Sequence, residues 1–363
     1  MRSTRPGAAL IAALLASAPL AVPATALAEI VRERLVTEAE PGIEIVMRRV
    51  HDDAVEQRGD PVILLHGARV PGVVSFDLAV EGGSLAADLA RAGLDVFVVD
   101  LRGYGMSTRP AAMDEPRRET TPLVRTGTAV RDLAAAADAV LAETGADQVA
   151  ILGWATGGHW AGAYAAFHPE RVSRVVFYNT LYGGTPEHPV IGRGSGLAAE
   201  DDPDAFNVAR FRNYRFSTAE SLFPSWDRAI PVADKAAWRD PAAAEAYADA
   251  ALASDPTSGE RDPPSFRAPS GALADSFLIA TGASLWDARL IEADALVIRS
   301  GNDFWSRPED VATLARHLGE RREGRAETLT IQEATHHVHL DRPERGRDAF
   351  VEAVTAFLIG GEG

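Results

Sequence analysis

Residues 149–166 constrain this 363-residue chain more than any other stretch. An apolar run, Val149-Ala150-Ile151-Leu152, leads into Gly153-Trp154-Ala155-Thr156-Gly157-Gly158 and then into an Ala-rich run from His159 to Ala166. The first run reads as a buried strand and the second as a helix, so the glycine-bounded segment between them is a tight strand-to-helix turn. Gly-x-Ser-x-Gly in that setting is a nucleophile elbow, a strained turn that presents its serine for attack. Here the centre of the turn is Ala155, and a methyl group cannot attack anything. The turn is legible, and its chemistry stays open.

Apolar strands alternate with helices on both sides of that turn. Ile30–Val36 and Ile43–Val50 read as an opening pair of strands. Pro61–His66, Asp95–Asp100 and Arg174–Asn179 read as strands buried on both faces. Ser84–Arg91 and Val124–Glu143 read as helices that stop at Gly93 and Gly145. This alternation predicts an α/β fold with a mostly parallel sheet flanked by helices. It breaks off between Leu181 and Trp286, a stretch rich in Pro, Asp, Ala and aromatics with a helical piece at Pro241–Leu252. The pattern resumes with a strand at Ala295–Arg299, a helix at Pro308–Leu318, a strand at Glu327–Ile331 and a helix at Gly346–Phe357. Structureless loops of such length are rare. Residues 181–286 are therefore expected to form an inserted, mainly helical cap, with the core made of 29–180 and 287–363.

Residues 1–28 read as a secretory leader rather than as part of the fold. Arg2 and Arg5 precede an apolar run from Ala8 to Val22, and Ala26-Leu27-Ala28 has the small residues of a cleavage site. The run is too short to span a bilayer, and Pro19 and Pro23 interrupt it, so the expectation is export to the periplasm or medium with no stable membrane anchor. The chain has no cysteine and so can form no disulfide there. A formal charge of −16 argues against a nucleic-acid partner.

Hydrolysis at such a turn needs a base, an acid to orient the base, and two backbone donors for the oxyanion. His336, in Ala334-Thr335-His336-His337-Val338-His339-Leu340-Asp341-Arg342-Pro343, is the candidate base. Asp303, at the end of a buried strand in Gly301-Asn302-Asp303, is the candidate acid. The amides of Ala68, after His66-Gly67, and of Thr156, at a helix N-terminus, are the candidate oxyanion donors. His66 itself is expected to pack and hydrogen-bond. His337 and His339 are rivals of His336 for the role of base, though each reads more readily as a surface loop histidine. Three histidines so close also raise a metal reading, but no further ligand sits at zinc spacing, so neither metal nor cofactor is expected. Trp154, Trp305 and Trp226 are the candidate pocket aromatics for a small apolar ester-like substrate. Arg212 and Arg215 read as solvated arginines rather than partners of a substrate carboxylate.

Five spaced motifs now combine: Leu65–Ala68, Asp100–Ser107 (Asp-Leu-Arg-Gly-Tyr-Gly-Met-Ser), the elbow, Gly301–Asp303 and His336–Pro343. Together they resemble the α/β-hydrolase superfamily, in the branch that carries a cap between its sixth and seventh strands. The resemblance implies hydrolysis of a carboxylic ester or lactone. In that scheme the residue at 155 attacks, His336 shuttles the proton, Asp303 orients His336, and the Ala68 and Thr156 amides hold the oxyanion. Ala155 departs from the pattern for both serine and aspartate nucleophiles. Three readings stay open: a serine replaced by alanine in an otherwise intact hydrolase, a His–Asp general-base enzyme without a covalent intermediate, and a noncatalytic ligand-binding homologue.

Overall fold

The computed structural model describes Met1, residues 30–184 and residues 187–360; apart from Met1, the expected leader at 1–28 lies outside the described residues. Among the described residues ten strands form: β1 (Val31–Glu40), β2 (Ile43–His51), β3 (Val62–Leu65), β4 (Val96–Asp100), β5 (Val149–Trp154), β6 (Val172–Tyr178), β7 (Tyr214–Ser217), β8 (Phe266–Pro269), β9 (Asp294–Ser300) and β10 (Ala326–Ile331). The helices are α1 (Gly72–Phe76), α2 (Leu85–Arg91), α3 (Thr126–Thr144), α4 (Thr156–Phe167), α5 (Val208–Phe211), α6 (Phe223–Ala229), α7 (Pro241–Ala253), α8 (Gly271–Ala280), α9 (Pro308–Gly319) and α10 (Arg347–Ile359).

Eight strands make one sheet in the order β1-β2-β4-β3-β5-β6-β9-β10. β1 and β2 pair antiparallel, β2 joins β4 antiparallel, and every later pairing is parallel. The central strands β3, β4 and β5 are buried throughout, as their unbroken apolar runs require. Side chains alternate across the pleat and so divide between two cores. Ile63, Leu65, Phe97, Val99 and Ile151 pack with Leu133 of α3, Trp160 of α4 and Leu314 of α9. Val62, Leu64, Val96, Val98 and Leu152 pack with Leu85 and Leu89 of α2 and Phe350 and Val354 of α10. α3 ends on Gly145 at φ 72, a left-handed position that a Cβ would strain.

Between β6 and β9 the chain forms α5 to α8 and also the antiparallel pair β7–β8, which composition did not reveal. Trp226, Trp238 and Tyr247 from this stretch share a cluster with Val70, Val74, Leu78 and Leu340. They therefore lie over the loops that follow β3 and β10. Among the described residues, no helix is long and apolar enough to cross a membrane. Ala68, Ala155, Asp303 and His336 each fall just past the carboxyl end of a different strand, β3, β5, β9 and β10. That edge is where open α/β sheets bind ligands.

Candidate active site

Ala155 sits directly before α4 with φ 53 and ψ −113. Such a conformation costs a non-glycine residue about 1–3 kcal/mol, so its surroundings must enforce it. Its N–H donates to Tyr178 O at 2.8 Å, and its carbonyl accepts from Gly158 N at 3.2 Å. The glycines allow the turn to close. A Cβ on Gly153 would lie 2.4 Å from the Gly157 carbonyl carbon, and one on Gly157 would lie 2.3 Å from Leu65 O. The strained bend of a nucleophile elbow is thus present around a methyl group. Gly67 comes so close that a Cβ there would lie 3.6 Å from the Ala155 methyl carbon.

His336 arrives from the loop after β10 and meets Asp303 from the loop after β9, with Nδ1 2.7 Å from Asp303 Oδ1. A carboxylate can only accept, so Nδ1 carries the proton and Nε2 is left as a base. Asp303 is fixed in turn by the amides of Trp305 at 3.0 Å and Ser306 at 2.8 Å. The His336 carbonyl accepts from Trp154 Nε1 at 3.0 Å, from the Tyr178 hydroxyl at 2.9 Å and from Asn179 Nδ2 at 3.3 Å. Those donors come from β5, β6 and the residue after it, so the sheet itself holds His336 in place.

Ala68, Ala155, Thr156, Trp154, Trp305 and His336 all line one cavity of about 470 Å³. Two donors, Tyr104 Oη at 2.9 Å and Arg215 Nη2 at 2.7 Å, hold the Ala68 carbonyl. Tyr104 belongs to the loop that begins at Asp100. Asp100 Oδ1 accepts from Gly72 N at 2.8 Å, and Ser107 Oγ donates to the Asp100 carbonyl at 2.5 Å. Gly105 (φ 51) crosses so near that a Cβ would lie 1.9 Å from Asp100 Oδ2. This motif therefore builds and braces the loop around Ala68. His66 is fully buried; its Nδ1 lies 2.7 Å from Gly67 O, its Nε2 accepts from Leu101 N at 3.3 Å, and burial pushes its pKa down.

Three expectations about neighbouring residues need correction. Trp226, expected in the pocket wall, is fully buried behind it; its Nε1 donates to Asp341 Oδ1 at 3.0 Å, and its ring stacks 4.6 Å from that of His337. His337 and His339, expected at the surface, are buried, because aromatic rings from β5 and the 181–286 segment close over the loop. His337 lines the cavity, and desolvation drives its pKa well down; His339 is lowered to about 3 by the same cause and lies 3.0 Å from the Tyr178 hydroxyl. Arg212 is partly exposed and pairs with Glu119 at 2.6 Å, whereas Arg215 lines the cavity. The sequence reading also missed Arg69 and Phe304 on the cavity wall. The adjacency of Arg69 to His66-Gly67-Ala68 was the available clue. Among the described residues, no group of three or more His, Cys, Asp or Glu is placed to hold a metal ion.

Comparison with known proteins fits this geometry. A hydrolase of 2-hydroxy-6-oxononadienedioate and 2-hydroxy-6-oxononatrienedioate from Cupriavidus pinatubonensis is 30% identical over 181 residues, covering 48% of this chain and 55% of that protein. The match thus spans little more than half the relative's length. A meta-cleavage product hydrolase from Pseudomonas fluorescens IP01, solved as a serine-to-alanine mutant with acetates, superposes with a TM-score of 0.55 at 19% identity, covering 90% of this chain and 98% of that one. An esterase from Exiguobacterium antarcticum superposes with a TM-score of 0.54 at 17% identity, covering 89% and 98%. At these identities the structural likeness speaks for the fold alone. The model of the family described as alpha/beta hydrolase fold matches residues 60–343, which takes in the elbow, both loops of the His336–Asp303 pair and the whole intervening segment. The chain belongs to the alpha/beta hydrolase fold family.

Proposed function

We propose that this chain is an exported hydrolase acting at the carbonyl of an ester-like compound, with residues 181–286 serving as a cap over the site. One observation carries the reading: His336, paired with Asp303 at 2.7 Å, lines one cavity with the strained position 155 and with Ala68 and Thr156. A buried imidazole oriented by a carboxylate is the general base of acyl transfer. The match to a hydrolase of oxo-dioates supports chemistry at a carbonyl carbon. Phe211, Phe216, Leu222, Leu273 and Phe304 on the wall suit an apolar substrate body.

With alanine at 155, water is the nucleophile. His336 Nε2 takes a proton from water as the oxygen bonds to the carbonyl carbon. The Ala68 and Thr156 amides hold the resulting oxyanion. The carbonyl re-forms as the bond to the leaving oxygen breaks, and the imidazolium returns its proton to that oxygen. An acid and an alcohol leave. Without the covalent step the rate rests on the base, the oxyanion donors and binding, of which the last two are worth roughly 10³–10⁴ over water when a triad lacks a member.

The test places Ala155→Ser beside the unaltered chain over a panel of short activated esters. A gain of about 100-fold or more on Ala155→Ser, with slow turnover by the unaltered chain, is the expected result. A correctly folded Ala155→Ser protein no faster than background sinks the hydrolase reading. Tight binding with no product from either protein would assign the pocket to ligand binding.

A further inference from the structure

Arginines in this protein are generally tied to acids; Arg102 to Asp132 and Arg267 to Asp255 are buried examples. Arg69 and Arg215 differ. Arg69 follows the Ala68 loop on the core side, and Arg215 comes from β7 in the 181–286 segment; both line the cavity that holds Ala155 and His336. Arg69 donates from Nε to Ser217 Oγ at 3.2 Å and from Nη2 to Ser221 Oγ at 2.7 Å. Arg215 donates from Nη2 to the Ala68 carbonyl at 2.7 Å, and its buried Nε has no partner among the described residues. Serine hydroxyls and a carbonyl satisfy donors without cancelling charge. Among the described residues, the charged or titratable groups acting on the two guanidiniums are Tyr247 on Arg69, and Tyr104 and Arg69 on Arg215, with no carboxylate among them. Burial accordingly pulls both below the usual arginine range, Arg215 to about 10.

We propose that Arg69 and Arg215 form a subsite for a carboxylate carried by the substrate, beside the loop that binds the reacting carbonyl. The inference rests on the hydrolase reading of this cavity and narrows its substrate class to ester or oxo compounds that are also acids. Two like charges buried without a counter-ion are costly, and a carboxylate supplies that counter-ion. A guanidinium fork also matches carboxylate geometry in a way an ammonium does not. Ala68 links the two functions, because its carbonyl is held by Arg215 while its N–H is the oxyanion donor. The substrate's anion and its reacting carbonyl would thus be read by adjoining groups. The −16 charge of the whole chain makes a pocket with this local sign more telling.

The experiment uses the full chain and two probes of matched shape, monomethyl adipate with one carboxylate and neutral dimethyl adipate. Calorimetric titration should show the monoester binding about 10- to 100-fold more tightly, as expected for charge-assisted hydrogen bonds in a desolvated site. Arg69→Met and Arg215→Met should each lose most of that preference while changing diester affinity far less, and Arg215→Lys should recover part of it. Circular dichroism checks folding; should Arg215→Met fail to fold, Arg69→Met and Arg215→Lys carry the test. Equal affinity for both probes overturns the subsite, as does a folded Arg69→Met or Arg215→Met variant that keeps the preference. The two readings fail separately. Equal turnover of both esters by Ala155→Ser sinks the subsite and leaves the hydrolase standing, whereas carboxylate-selective binding with no turnover does the reverse.

Discussion

The indole N–H of Trp154 donates to the carbonyl oxygen of His336 at 3.0 Å, so the residue before the elbow centre holds the residue whose imidazole pairs with Asp303. The Trp154 ring also lies 5.2 Å from the imidazole, centre to centre. Trp154→Phe keeps an aromatic body and deletes the donor. It should cost about 1 kcal/mol of stability by denaturant melting. In the Ala155→Ser background it should lower kcat several-fold, because Tyr178 and Asn179 still donate to the same carbonyl. An unchanged kcat would show that this bond positions nothing.

Asp303→Asn keeps the size of the side chain and removes the charge that fixes the His336 tautomer. In Ala155→Ser it should lower kcat by about 10³- to 10⁴-fold with KM little changed, since an amide facing Nδ1 favours the wrong tautomer. The Ser306 amide, which donates to Oδ2, keeps its acceptor, while the Trp305 amide, which shares Oδ1 with His336, loses one hydrogen bond worth about 1 kcal/mol, so the fold should survive. A loss below tenfold would remove Asp303 from the mechanism.

Gly157→Ala should destabilise by roughly 3 kcal/mol or prevent folding, because its Cβ would lie 2.3 Å from Leu65 O and 2.6 Å from His66 O, backbone atoms of a central strand and its exit. Gly127→Ala is the control. Its Cβ meets nothing within 4 Å in the first turn of α3, and the substitution should stabilise by about 0.5 kcal/mol. Chemical denaturation of both proteins decides the pair.

His159 is buried, with Nδ1 accepting from Trp286 Nε1 at 2.9 Å and Nε2 lying 2.8 Å from Thr126 Oγ1, which donates onward to Asp275 at 2.7 Å. Desolvation lowers its pKa from 6.5 to about 4. The unfolded chain therefore binds a proton below about 6.5 that the folded chain refuses until about 4. The stability from this group is complete above 6.5 and drains away as pH falls toward 4, by on the order of 3 kcal/mol. His159→Gln should flatten the pH dependence of the melting midpoint in that window; an unchanged slope would refute the assignment.

Much of the site was legible because its parts are local. The elbow needs glycines at short spacing, and the helix it was expected to open at His159 begins at Thr156 itself. Asp303 and His336 sit where buried strands end, and strand ends are visible in apolar runs. Trp226, His337 and Arg215 were misplaced for a common reason. Each one's exposure depends on how the 181–286 segment folds over the loops after β3 and β10, and no local pattern encodes that contact.

The chain order of the eight strands of the main sheet, the strained turn at Ala155 and the candidate partners His336 and Asp303 follow from the sequence, since hydrophobic period, glycine spacing and strand ends are short-range properties. Which side chains are desolvated together was decided by the tertiary structure. Only there do Arg69 and Arg215 meet in one cavity with, among the described residues, no acid in its lining, because burial is set by segments far apart in the chain.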